Sequence, residues 1–191
     1  MIRLQTERFI IRDLFSTDLE NIHQLHSLPE TDEFNTLGIP ETIQTTERIL
    51  NAWLKKQTDF PRTSYVLNVE LSDSKTFIGL IALNLGNPNF KVAEMWYKIH
   101  ASTLREGYVD EALRMLFEFA FNFLNLHRIE SDCAVFNLES IRILEKLGMV
   151  REGKKRQFLP INDRWMDSYM YAILSEDFEF GSLSSPPSLT T

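Results

Sequence analysis

The chain has one cysteine, Cys133, in 191 residues. A single thiol makes no internal disulfide, which excludes a secreted disulfide scaffold and removes thiolate zinc sites. No apolar run approaches the roughly 20 residues that a membrane helix needs. The first residues, MIRLQTERFIIRD, are charged throughout and lack the apolar stretch of a signal peptide. A cytoplasmic location without a membrane partner is therefore expected. Histidine is scarce: His23, His26, His100 and His127, with no HExxH spacing. His23 and His26 would share a helical face, where two surface histidines are favoured over a metal pair, so no metal cofactor is expected. Lys and Arg number 20 against 27 Asp and Glu, a net charge of −7. That balance argues against a global grip on nucleic acid. Glycine and proline, seven each, are scattered until Gly181–Thr191, GSLSSPPSLTT. Such small polar residues cannot bury enough apolar area to order themselves. One folded unit over 1–178 and a flexible Ser/Pro-rich tail over 179–191 are expected.

What is present suits a globular domain: 43% hydrophobic and 25% charged residues. Residues 2–13 read as a strand. Thr17 and Glu20 have capping-box spacing ahead of a helix over 17–28, and Pro29–Pro40 reads as loop. Thr45 or Thr46 would cap a second helix that carries Ile49, Leu50, Trp53 and Leu54 on one face. Strand-like stretches at 63–71, 76–85 and 90–99, separated by turn residues, make an antiparallel meander. From 108 to 125, Val109, Ala112, Leu113, Leu116, Phe117, Ala120, Phe121 and Leu124 form one apolar helical stripe. A buried strand over Arg128–Phe136 follows, then a helix over 138–147 with Gly148 as its C-cap. Strands at 149–159 and 165–174 close the series. The order β-α-α-β-β-β-α-β-α-β-β indicates a mixed α/β (α+β) domain with one central sheet.

Two places offer chemistry. A strand ends near Ile99, and the strong helix begins near Tyr108. The free N–H groups at such a helix start can bind a pyrophosphate, and Gly107 would let the backbone come close. Taken alone, Leu104–Ala112 reads as readily as a tight turn with a surface Arg-Glu pair. Asn137, just before Leu138, fits a helix N-cap. Phe34, Phe60 and Phe90, in or near loops, could line an apolar pocket or belong to satellite core.

Taken together, the phrases of this chain resemble the GNAT superfamily of acetyl-CoA-dependent N-acetyltransferases, and within it the branch that acetylates ribosomal-protein N-termini at alanine or serine. The resemblance rests on Thr6-Glu7-Arg8-Phe9-Ile10-Ile11-Arg12, Gly107-Tyr108-Val109-Asp110-Glu111-Ala112, Leu126-His127-Arg128-Ile129-Glu130, the NxxSxxxxEKLG run from Asn137 to Gly148, and loosely on Arg164-Trp165-Met166-Asp167. It spans residues 2–178. In the pyrophosphate loop the chain departs from the family pattern: Leu104 stands first, Arg105 second, and Val109 replaces a small residue. Val109 would add bulk where phosphates approach, and Arg105 could compensate by pairing with them.

The resemblance implies a single GNAT-like domain whose mostly antiparallel sheet splays between its fourth and fifth strands, with the pantetheine arm of acetyl-CoA in the gap. It implies acetyl transfer to a primary amine (a protein N-terminus, a polyamine or another small amine) by direct attack in a ternary complex. Main-chain groups near Tyr97 and Ile99 would hold the arm or polarise the thioester. Leu104, Arg105, Glu106, Gly107, Tyr108 and Val109 would hold the pyrophosphate, with Asn137 on the arm and Arg142 or Lys146 on the anionic end. Glu94 would be the base acting through water, or else a strand glutamate facing solvent. Ser140 would sit near the thiol. A homodimer is a common assembly in this branch. The altered loop also fits a degenerate relative that binds acyl-CoA as a sensor or interaction protein. From Asp13 to Glu47 there are eight acids and no Lys or Arg, whereas REGKKR at 151–156 is basic. In the implied fold the acidic stretch borders the acceptor side, which suggests either a cationic acceptor or simply a solvated acidic face.

Overall fold

In a computed structural model that describes residues 1–100 and 107–179, the chain forms one eight-stranded sheet with helices on both faces. Strands β1 (Arg3–Gln5) and β2 (Phe9–Asp13) form an antiparallel hairpin. The expected single strand over 2–13 is thus broken. Thr6 turns the chain: its N–H donates to the Phe9 carbonyl at 2.9 Å, and its Oγ1 accepts from the N–H groups of Arg8 and Phe9. Ile2 and Leu4 are buried together with Phe9 and Ile11 as a result.

A 3-10 turn at Ser16–Asp18 leads into α1 (Leu19–His26). The Thr17–Glu20 capping box does not form. The Asp18 carboxylate instead accepts the Phe15 N–H at 2.8 Å and takes two hydrogen bonds from Arg12. Arg12 also bonds Glu70 at 3.1 Å, so one half-buried guanidinium ties β2, β3 and the start of α1. The loop expected at Pro29–Pro40 contains a short helix, α2 (Pro29–Asp32), which proline opens from its first position. Helix α3 (Ile43–Gln57) starts after Thr42, one turn earlier than the Thr45 or Thr46 cap expected.

Strands β3 (Ser64–Leu71), β4 (Phe77–Leu85) and β5 (Val92–Ile99) make the antiparallel meander. Helix α4 (Tyr108–Glu118) then widens into a π-turn over Phe119–Phe123, where the Leu124 N–H reaches the Phe119 carbonyl at 3.2 Å. Strand β6 (Arg128–Ala134), helix α5 (Leu138–Lys146) and the hairpin of β7 (Val150–Ile161) and β8 (Arg164–Leu174) complete the fold. Gly148, at φ +86°, follows α5 in the left-handed conformation expected of its C-cap glycine. The sheet order is β1-β2-β3-β4-β5-β6-β8-β7, and only β5 and β6 run parallel. A parallel neighbour needs a crossover, and the segment carrying α4 supplies it.

Strands β3 and β4 are buried on both faces, so their alternation separates two cores rather than core from solvent. Leu67, Val69, Ile81 and Leu83 pack with Val109, Leu113, Leu116 and Phe117 of α4. On the opposite face Val66, Leu80 and Ala82 pack with Ile22 and Leu25 of α1 and Leu50 of α3. The expected tail lies outside the described residues from 180 onward.

Candidate active site

Strands β5 and β6 pair only at Val92–Glu94 with Arg128–Glu130. β5 then continues to Ile99 and β6 to Ala134, and among the described residues no further rung joins them. The expected splay is therefore present. Along β5 the Val92 carbonyl accepts the Gly86 N–H and the His100 N–H donates to the Ile78 carbonyl, both at 2.9 Å. Even-numbered residues thus turn their main chain to β4. By strand alternation, Met95, Tyr97 and Ile99 turn theirs into the gap.

A cleft of about 650 Å³ runs through this gap from one face of the sheet to the other. That volume suits a small-molecule site. On the α5 side it is lined by Asn137, Ser140 and Ile143, and on the α1 side by His26, Trp53 and Lys98. Glu94, Tyr97 and Ile99 line it as well. Asn137 caps α5, its side-chain oxygen accepting the Ser140 N–H at 3.0 Å. The Tyr97 hydroxyl donates to Ser140 Oγ at 3.0 Å. Burial pushes the Tyr97 pKa upward, with the Ser140 hydrogen bond opposing it. Cys133, also in the lining, is pushed up to about 11 by burial and then by the charge of Asp132; it is a thiol, not a thiolate, at neutral pH.

Glu94 is exposed and sits at the last rung before the strands part. Trp96 and Lys98 share its face by the period of two. Lys98 is only 7% exposed, and burial lowers its pKa to about 8, with Asp32 pulling the other way. His26 is 1% exposed; burial, then the charges of Lys98 and His23, lower it to about 4. The expected pair of surface histidines is therefore wrong. The helix turns His26 inward against Trp53, at 6.1 Å between ring centroids, while half-buried His23 meets Thr46 Oγ1 at 2.9 Å. Trp53 in turn packs on Trp96 at 5.9 Å.

At the start of α4, Gly107 has φ +72° and an added Cβ would meet no described atom within 4 Å. The glycine is required by its left-handed backbone, and among the described residues no atom crowds it. Val109, expected to add bulk beside the phosphates, is 2% exposed and packs its side chain into the core. Tyr108 packs edge-on against Phe9 at 5.1 Å. Two acids in this first turn would repel a phosphate, but Asp110 pairs with Lys146 and Glu111 is held by Arg8 and Thr6. Lys146 is thus engaged within the protein. Leu104, Arg105 and Glu106 lie outside the described residues. Arg142 is exposed on α5 and does not line the cleft.

Of the eight acids between Asp13 and Glu47, Glu30 and Glu33 reach the cleft, while Asp18 is held by Arg12. Phe34 lines the cleft; Phe60 and Phe90 are exposed and do not. Lys98 and His26 are the site residues that sequence reasoning passed over. The one signal was a lysine inside the apolar run Met95–Ile99. Among the described residues no group of three or more metal-ligating side chains gathers, and no helix is long and apolar enough to cross a membrane.

Comparison with known proteins agrees with this fold. The family model of the acetyltransferase (GNAT) domain matches residues 8–150. The uncharacterized N-acetyltransferase YnaD of Bacillus subtilis (strain 168) is 28% identical over 180 residues, covering 93% of this chain and 99% of its own. The [ribosomal protein uS5]-alanine N-acetyltransferase of Escherichia coli (strain K12) is 25% identical over 190 residues, 94% of each chain. In fold, the chain matches the spermidine N-acetyltransferase from Vibrio cholerae solved in complex with CoA and spermine, with a TM-score of 0.79, 24% identity, and coverage of 90% of this chain and 98% of that one. The chain belongs to the GNAT acetyltransferase family and is an acetyl-CoA-dependent N-acetyltransferase.

Proposed function

We propose that this enzyme acetylates a primary amine by direct attack in a ternary complex assembled across the β5–β6 gap, and that it works in the cytoplasm. The observation that carries the reading is the cleft itself, which joins the α5 side of the sheet to the α1 side at the point where β5 exposes main chain. Two similar proteins are named for amine acceptors, an alanine of uS5 and spermidine. A single buried thiol suits a reducing compartment.

The roles follow from position. Main-chain groups of Tyr97 and Ile99 would bind the pantetheine arm or polarise the thioester carbonyl. The Asn137 side-chain oxygen is spent on its cap, so its NH₂ group is the part left for the arm. The N–H groups opening α4 at Gly107, Tyr108 and Val109 would take the pyrophosphate, together with Leu104, Arg105 and Glu106 of the preceding loop. Glu94 would accept the amine proton through water. The neutral amine then attacks the carbonyl carbon, a C–N bond forms, and the C–S bond breaks. Ser140, held by the hydrogen bond it accepts from the protonated Tyr97 hydroxyl, would relay the proton shed by the new amide nitrogen to the departing thiolate, so that neither hydroxyl ends ionised.

Thermal melting with acetyl-CoA, followed by thiol release with a panel of primary amines, tests this. Stabilisation and amine-dependent release of CoA are expected. No stabilisation at millimolar acetyl-CoA would overturn the cofactor assignment. Binding without turnover of any amine would leave the sensor reading in its place.

A further inference from the structure

Three residues on one face of β5 alternate acid, aromatic, base: Glu94, Trp96, Lys98. All three line the cleft. Lys98 stands between Tyr97 and Ile99, two of the residues whose main chain faces the gap, and its side chain goes to the α1 face. Its Nζ is buried and donates to no partner among the described residues. Asp32 is close enough to act on it electrostatically but makes no ion pair with it. Beside it, His26 is uncharged at neutral pH, and its Nε2 is also buried without a partner.

An ammonium held out of water without an acceptor is strongly unfavourable. A carboxylate delivered by a ligand would supply a short, charge-assisted hydrogen bond. Glu94, four residues back along the same face of β5, is exposed in the cleft lining and draws a cation. Between the two ends, Trp96 offers an apolar wall, backed by Trp53. A ligand complementary to this row has an ammonium, a short methylene chain and a carboxylate, in that order.

We propose that Lys98 anchors a carboxylate on the acceptor, so that the preferred substrate is an amine carrying a carboxylate a few bonds away, and that Lys98 discriminates against diamines. This rests on the reading that amines are acetylated in this cleft. A diamine of equal length would place a second cation against Lys98, a like-charge contact that acts as an explicit rejection.

The test uses three probes with the same four-carbon chain: 4-aminobutanoate, butane-1,4-diamine and butylamine. Binding of each to the full chain, in the presence of desulfo-CoA, is measured by calorimetry for the wild type and for Lys98→Met. The expected wild-type result is 4-aminobutanoate at least ten-fold tighter than the other two. Lys98→Met should abolish that advantage and improve butane-1,4-diamine, while its melting temperature rises because the buried charge is gone. The rise distinguishes a folded variant from a damaged one, and the wild-type ranking stands without any variant. A diamine that binds as well as or better than 4-aminobutanoate, an unchanged ranking in Lys98→Met, or binding of none of the three would overturn the proposal. The readout needs no turnover. Failure of desulfo-CoA to bind would count against the proposed function instead, and the ranking would then be measured on the free protein.

Discussion

The Tyr97 hydroxyl meets Ser140 Oγ at 3.0 Å across the gap where β5 and β6 separate. One residue lies on the parting strand, the other in the first turn of α5, and Asn137 fixes that turn by accepting the Ser140 N–H. Two hydroxyls are thus held in series along the wall of the cleft. Removing either should break the same proton path. Tyr97→Phe and Ser140→Ala are each expected to lower kcat by about 100-fold, within the usual range for a lost general acid. KM for acetyl-CoA should change little, and the double variant should be little worse than either single one. Steady-state kinetics with a saturating amine decides it; an unaltered kcat in both variants would remove the pair from the chemistry.

His26 makes the α1 side of the cleft sensitive to acid. Folded, it stays neutral down to about pH 4; unfolded, it takes its proton near 6.5. Between those values the unfolded chain binds more protons, so stability falls as pH drops through this window, by about 3 kcal/mol from this residue at full protonation. Urea melts at pH 7 and pH 4.5 should show the loss, and His26→Gln should show less of it. Equal pH dependence in the two proteins would refute the assignment.

Gly79 lies where β4 passes β5, opposite Ile99. A Cβ at Gly79 would stand 2.4 Å from the Lys98 carbonyl oxygen and 2.7 Å from the Ile99 Cα. Both are main-chain atoms and cannot swing aside. Gly79→Ala should destabilise the chain by more than about 2 kcal/mol, in the range of overpacked cores, and should weaken acetyl-CoA binding because it displaces the segment that faces the gap. Gly107→Ala is the useful contrast. It meets no described neighbour, so only the left-handed backbone is strained, at roughly 1–2 kcal/mol. Denaturant melts that placed Gly107→Ala below Gly79→Ala in stability would contradict this account.

Arg12 holds α1 against the sheet through Asp18 and Glu70. Arg12→Leu would leave two buried carboxylates without their cation, and a loss of about 3–5 kcal/mol is expected. Arg12→Leu combined with Asp18→Asn and Glu70→Gln should recover part of it. No recovery in the triple variant would mean that guanidinium packing, not charge balance, is the larger contribution.

Much of this was legible from residue order. The stripe on α4 repeats at helical spacing, and the meander from β3 to β5 is bracketed by turn residues, so both were placed within a few residues. The hairpin at β1 and β2 was hidden because Phe9, Ile10 and Ile11 continue the apolar character of Ile2 and Leu4; the break depends on the Thr6 hydroxyl, which propensity does not register. The π-turn at Phe119 preserves a helical pattern and leaves no trace in periodicity. At the site, Asn137 and Ser140 were nameable because a family phrase contains them, and Glu94 because the resemblance implies a carboxylate on that strand. Lys98 and His26 were not, since their role depends on which face of a strand or helix is covered. That is decided by α1, α2 and α3, elements distant in sequence. The burial of Val109 is hidden for the same reason: the sequence shows its place at the helix start and not the direction of its side chain.

The two hydrophobic clusters meet only through the sheet, and they are unequal in size. The larger holds α4 and α5, and the smaller, on the face of α1 and α3, gathers around Leu14, Ile22, Leu25 and Leu50. Elements resting on a small cluster open at lower free energy, so amides of α1 and α3 should exchange with solvent sooner than those of α4. Substitutions between β2 and β3 should then loosen α1 and α3 locally while the protection of α4 is unchanged, because the sheet stands between the two clusters.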